Sequence, residues 1–247
     1  MADELSLLET LQGTLSLVFV IITVIVGIII ISKYFKYKNI TFLLVGIAWT
    51  GMCFGWLGDV INLFMHLTGN PYISDELYLI LVNAFLPLFV VLWLIALSDL
   101  LHFEKKKLLV LTVLVLGVVF EIIFFVLLFT DTEYIGIRRG PFHYEFSLFT
   151  DIFMLSLIVF ILWTGIKFAL ESMKSENPEI RLKGKFLIAA FITFTCGALF
   201  DSQAALTEAT VVIVRIVLIS GSLLFYSGFI LPDWMKKLFL KSEKVSK

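Results

Sequence analysis

Charge is scarce in this sequence. Only 16% of its 247 residues are Asp, Glu, Lys or Arg, against roughly 25% in a soluble domain. The 19 basic and 20 acidic side chains nearly cancel, so no basic field exists to hold nucleic acid, and no nucleic-acid partner is expected. Cysteine is rarer still: Cys53 and Cys196 both sit inside apolar runs, which excludes a disulfide framework and a zinc knuckle. The three histidines, His66, His102 and His143, are too dispersed to converge on one metal or to hold a haem pair. No Gly-x-Ser-x-Gly elbow, phosphate-binding glycine loop or nucleophile with an Asp/His partner motif occurs. Enzyme chemistry, a metal and a cofactor are therefore not expected.

What remains is apolar. Hydrophobic residues make up 60% of the chain, 25 residues are Phe, and the mean hydropathy is +1.02. A helix needs about 20 apolar residues to cross a ~30 Å hydrocarbon layer. Seven runs of that length occur, at about residues 11–31, 40–66, 77–100, 108–130, 146–169, 186–206 and 211–231. The expected fold class is all-α: a polytopic membrane protein, one domain of seven transmembrane helices, with residues 232–247 as a basic cytoplasmic tail. The acidic approach to the first run (Asp3, Glu4, Glu9) argues against a cleaved signal peptide. Of the 19 basic residues, 16 fall in the first, third and fifth connections and the tail, whereas the other side holds only Arg138 and Arg139, and Arg215 lies inside the seventh run. The positive-inside rule then puts the N-terminus outside and the C-terminus in the cytoplasm, in the cell membrane.

Gly69-Asn70-Pro71 and Glu176-Asn177-Pro178 read as turns. The longest outer connection, residues 131–145, contains Ile135-Gly136-Ile137-Arg138-Arg139-Gly140-Pro141-Phe142. It fits either a small hairpin, closing over the outer mouth, or an irregular loop. In the second run Gly51-x-x-x-Gly55 permits close helix approach. Thr195-Cys196-Gly197-Ala198 and Ser220-Gly221-Ser222 read as packing surfaces in the same way. Trp234 reads as an inner-interface anchor, and the Lys-rich tail after it suits either the anionic inner leaflet or a cytoplasmic partner.

Ionisable groups inside a bilayer need a partner, a water-filled cavity or a task. Counted at about 1.5 Å per residue, Asp59 and Asn62 fall in the outer third of the second helix and Asn83 in the outer part of the third. Glu121 stands near or just above the midplane, Asp151 near the outer end of the fifth helix, and Asp201 and Gln203 in the last turns of the sixth. Arg215 lies about one turn inside the seventh helix, and Glu208 in the outer loop before it. The inner halves are nearly all Leu, Ile, Val and Phe, with Asp99 and His102 close to the cytoplasmic surface. Polar groups on one side only fit an outward-facing pocket, formed mainly by helices 2, 3, 6 and 7, better than a pore or carrier, which needs polar lining on both sides of the midplane. The candidate ligand-binding residues are Asp59, Asn62, Asn83, Glu121, Asp201, Gln203 and Arg215. Arg215 also fits a purely structural staple to Asp201 or Asp59, and Glu121 fits a protonated carboxyl bonded to a neighbour. The excess of acids over one arginine means either that some carboxylates are neutral or that the site prefers a cation, an amine or a proton.

A retinal pigment would need a lysine in the last helix, where only Arg215 is found. The seven-helix plan resembles that of G-protein-coupled receptors in topology alone. The third run ends Ser98-Asp99-Leu100-Leu101-His102 instead of an Asp-Arg-Tyr triplet, and the seventh reads Leu224-Phe225-Tyr226-Ser227-Gly228 in place of an Asn-Pro-x-x-Tyr motif. The last third is more specific: Gly197-Ala198-Leu199-Phe200-Asp201, then Val214-Arg215-Ile216-Val217-Leu218-Ile219-Ser220, then Gly228-Phe229-Ile230-Leu231-Pro232-Asp233-Trp234. These segments resemble archaeal seven-helix sensor-like proteins similar to the N-terminal regions of membrane histidine kinases. The resemblance implies a signal sensed outside or within the membrane and passed to a cytoplasmic module. The sequence ends about 13 residues after Trp234, so a separate cytoplasmic signalling partner is expected. The function expected is a receptor-like or sensory membrane protein for a small extracellular ligand, with membrane lipid as its other partner. The alternatives are a proton or small-cation transporter or channel using Glu121, and a non-catalytic structural or assembly membrane protein.

Overall fold

The computed structural model describes residues 4–101 and 105–242. Most helices begin where a short polar side chain can satisfy the free N–H groups of the first turn. Ser6 accepts from the Glu9 amide at 3.3 Å while its own amide donates to the Glu9 carboxylate at 2.8 Å, opening α1 (Leu7–Tyr37). Asn39 caps α2 (Ile40–Leu67) and Ser74 caps α3 (Asp75–Ser98). After α4 (Lys106–Thr130), Ser147 caps α5 (Leu148–Met173). Asn177, followed by Pro178 at the first helical position, caps α6 (Pro178–Gln203), and Thr207 caps α7 (Glu208–Ile230). Leu231 takes a left-handed conformation (φ 49°) and Pro232 prevents continuation, so the chain turns into a separate α8 (Asp233–Ser242).

All of α1–α7 are long and apolar enough to cross a bilayer, which makes this a multi-pass, all-α membrane bundle. Several helices outrun their apolar cores. α6 starts at Pro178 instead of residue 186, α1 continues to Tyr37 past residue 31, and α5 reaches Met173 beyond residue 169. Hydropathy marks the hydrocarbon layer, whereas backbone hydrogen bonding continues through the polar interface. Lys167, Arg181, Lys183 and Lys185 therefore sit on helices, and the α5–α6 connection shrinks to residues 174–177. Glu208 is corrected likewise: it stands in the first turn of α7, behind the Thr207 cap, and not in the loop. His102 and the chain beyond Ser242 lie outside the described residues.

Two helices are interrupted at the end that carries the polar groups. α2 tightens into a 3₁₀ turn at Cys53–Trp56, and α3 widens into a π turn at Ile80–Ala84, just ahead of Pro87, which has no N–H for the regular ladder. The first break also splits the Gly51/Gly55 pair. Gly51 lies under the Phe89 ring of α3, but Gly55 faces open space. A close α1–α2 approach occurs elsewhere, where a Cβ on Gly46 would stand 2.8 Å from the Gly27 carbonyl oxygen.

The main core lies among α1, α2, α3, α5, α6 and α7, around Trp49 stacked on Phe225 with ring centroids 3.5 Å apart. α4 is peripheral and turns most of its surface outward, leaning on α3 through Gly117 and Pro87 and on α5 through Phe120 stacked on Phe153. Between α4 and α5 the chain forms an antiparallel hairpin, β1 (Gly136–Gly140) and β2 (His143–Phe146), irregular after Arg138. Of the two readings of this connection, the hairpin is the one observed. It is the single sheet among the described residues.

Candidate functional site

The hairpin sits against the bundle end where α1 begins. Phe142 at its turn reaches Gly13 of α1, and the Asn62 side chain of α2 donates to the Pro141 carbonyl at 2.6 Å while accepting from the Ile73 amide at 3.0 Å. Arg138 of β1 adds a second fastening. Its Nε is 2.6 Å from Asp75 and 2.8 Å from the Tyr144 hydroxyl, and its Nη2 donates to the Ile73 carbonyl at 2.8 Å. Tyr144 also donates to Asp75. Burial, together with that bond to a carboxylate, raises the Tyr144 phenol above its usual range, so it remains a donor. The neighbouring His143 is lowered by burial, with Glu145 and Asp201 acting in the opposite sense.

Beneath the hairpin lies a cavity of about 550 Å³ between α2, α3, α5, α6 and α7, a size typical of small-molecule pockets. Hairpin residues and the α6–α7 connection form its rim. Asp59, Asp201 and Arg215 line the polar part, and Met52, Val90, Ile161 and Phe194 line the far end. At about 1.5 Å per residue, Ile161 stands roughly 20 Å below the start of α5 and Arg215 roughly 10 Å below the start of α7. The floor is therefore near the middle of a ~30 Å layer, about 10 Å deeper than the charges.

Arg215 is 3% exposed and organises the polar part. Its Nη1 pairs with Asp201 of α6, and its Nη2 is 3.9 Å from Asp59 of α2. Asp201 also accepts from Trp56 Nε1 at 2.6 Å, a bond that the 3₁₀ turn makes possible by setting the indole at the foot of the break. Asp59 accepts from the Tyr78 hydroxyl at 2.6 Å and from Ser16 of α1 at 3.0 Å. Tyr78 stacks on Tyr144, ring centroids 4.3 Å apart, which links the charged cluster to the Arg138–Asp75 fastening of the hairpin. Two carboxyls thus face one guanidinium, whose buried Nε has no partner among the described residues.

The structure distributes the seven sequence candidates unevenly. Asp59, Asp201, Gln203 and Arg215 line the cavity. Asn62 is fully buried and holds the hairpin instead. Asn83 lies in the π turn of α3, donating to the Leu79 carbonyl at 3.0 Å, and Glu121 lies on peripheral α4; neither lines the cavity. Asp151 of α5, read from the sequence as near the outer end, also faces the cavity. Sequence reasoning missed Trp56, Tyr78, Tyr144 and Ser16, which supply the donors to the carboxylates. Aromatic and hydroxyl residues are ordinary in apolar helices, so only their long-range partners distinguish them. Among the described residues no three His, Cys, Asp or Glu side chains gather as metal ligands. Comparison of the chain with family models and with curated proteins gives no match.

Proposed function

We propose that this is a receptor-like or sensory protein of the cell membrane, with its N-terminus and hairpin outside and its basic ends in the cytoplasm. A small extracellular ligand enters beneath the hairpin, and the helices pass the change to a separate cytoplasmic partner. One observation carries this reading: the cavity opens beside the hairpin and closes on apolar side chains near mid-depth. Beyond it, the buried polar side chains among the described residues are uncharged: Trp93 Nε1 donates to Thr164 at 3.1 Å and Ser227 to the Leu223 carbonyl at 2.8 Å, while Trp49 Nε1 and Thr50 Oγ1 have no partner. A dead-end polar chamber suits recognition better than conduction. The placement of Glu121 away from the cavity weighs against the transport alternative. The 16-to-2 division of Lys and Arg supports the orientation, and the sequence segments around Asp201, Arg215 and Trp234 support kinship with archaeal sensor-like proteins.

A thermal-shift screen of the purified protein against amines, amino acids, nucleosides and lipids tests the pocket. A ligand specific for the folded state stabilises by about 2.7 kcal/mol at 100 times its Kd. The reading predicts a hit that the cavity-filling variant Ala198→Trp abolishes. If no compound shifts the wild type, or if every shift survives in that variant, the buried charges are packing devices and the assembly alternative stands.

A further inference from the structure

We propose that the cavity takes an amphiphilic organic cation: an alkylammonium-type ligand whose charged head sits at Asp59 and Asp201 and whose apolar body fills the floor. The inference rests on the pocket reading above and specifies its ligand class. Asp59 and Asp201 share the single guanidinium of Arg215, and Asp151 adds a third carboxyl to the wall. A low-dielectric chamber with an acid excess favours a positive occupant.

Three observations select the kind of cation. A proton would balance charge but would not use a chamber of about 550 Å³. A hard metal ion requires about six converging oxygen ligands, whereas the Asp59 and Asp201 oxygens already accept from Tyr78, Ser16, Trp56 and Arg215, and no ligand group gathers among the described residues. An ammonium carried on carbon needs fewer contacts, gains from aromatic faces, and tolerates carboxylates that are already shared. The rings of Trp56, Tyr78 and Tyr144 all border the cavity at this level. The depth below the charges is the third element. Met52, Val90, Ile161 and Phe194 extend the chamber by about 10 Å of apolar wall, so a small hydrophilic amine would leave the floor unfilled.

The test uses the full chain in nanodiscs of zwitterionic lipid, titrated with n-octylammonium, n-butylammonium and octanoate at matched free aqueous concentrations. Melting temperature and equilibrium binding are both read. Octylammonium should bind and stabilise, octanoate should not, and butylammonium should bind well over tenfold more weakly, because each buried methylene contributes about fourfold. Asp59→Asn, with Asp201→Asn as a second variant, should weaken octylammonium at least tenfold, and Ala198→Trp should abolish its binding. Octanoate binding that Ala198→Trp blocks would overturn the cationic assignment while leaving the pocket intact. Octylammonium binding that survives Ala198→Trp would place it on the lipid-facing surface and overturn the proposal. If no probe of either charge shows an effect that Ala198→Trp removes, the pocket reading fails with it.

Discussion

At the residue scale, Arg215 carries the greatest consequence. It is almost wholly buried, paired with Asp201 and close to Asp59. Removing one member of a buried ion cluster strands the opposite charge and costs about 3–5 kcal/mol. Arg215→Ala is therefore expected to lower stability by that amount in a denaturant titration in detergent. Arg215→Lys should cost less, since it keeps the charge but loses the planar fork that serves two carboxyls. The identities and depths of Asp59, Asp201 and Arg215 were legible in the sequence, because ionised groups stand out against Leu and Phe. A staple from Arg215 to Asp201 or Asp59 was one reading of those depths and is present; the donors Trp56, Tyr78 and Ser16 were not legible, since spacing fixes depth along a helix but not its rotation or its neighbours. Gly51 and Gly55 illustrate the same limit. Their spacing matches a packing motif, yet only Gly51 meets another helix. Gly51→Ala should cost about 1–3 kcal/mol by overpacking against Phe89, while Gly55→Ala should stay within about 0.5 kcal/mol, read as paired melting curves.

At the scale of elements, the hairpin and the two helix breaks build the site. The hairpin is held by Asn62 on one side and Arg138 on the other. Asn62→Ala leaves the Pro141 carbonyl and Ile73 amide unpaired, and faster hydrogen exchange over residues 136–146 should follow, without loss of protection in α6 and α7. His143 gives this element a pH dependence. Its folded pKa lies below the ordinary 6.5, so the unfolded hairpin binds the proton more readily. Stability is then full above about pH 6.5 and declines as pH falls through that value toward the folded pKa. Exchange over the hairpin should rise on acidification below about pH 6.5, and His143→Gln should remove that dependence. The residues around Gly136 and Gly140 allowed a hairpin but favoured an irregular loop in the sequence. The contacts that decide between them come from α2 and α3, about 60–80 residues away in the chain. The 3₁₀ and π turns were not legible either, because neither Cys53–Trp56 nor Ile80–Ala84 carries a local signal beyond Pro87.

At the scale of the molecule, seven apolar runs were enough to give seven membrane-length helices, since no other backbone arrangement of this composition satisfies its hydrogen bonds in lipid. Helix ends shifted because polar residues such as Lys183 and Arg181 continue a helix outside the apolar layer. The charged half and the apolar half of the bundle divide the work proposed here: recognition beneath the hairpin and transmission toward the basic turns. A ligand that bridges α2, α6 and α7 at Asp59, Asp201 and Arg215 must change how those helices meet if it is to act as a signal.

The most direct measurement is therefore a distance across the opposite end. Spin labels at residues 40 and 181, in a Cys196→Ser background in nanodiscs, report the separation of the start of α2 from the start of α6. The account predicts that saturating octylammonium shifts the distance distribution, and that Asp201→Asn suppresses the shift at the same concentration. A distribution unchanged at full occupancy of the cavity would contradict the sensory reading and leave a binding protein whose ligand moves nothing.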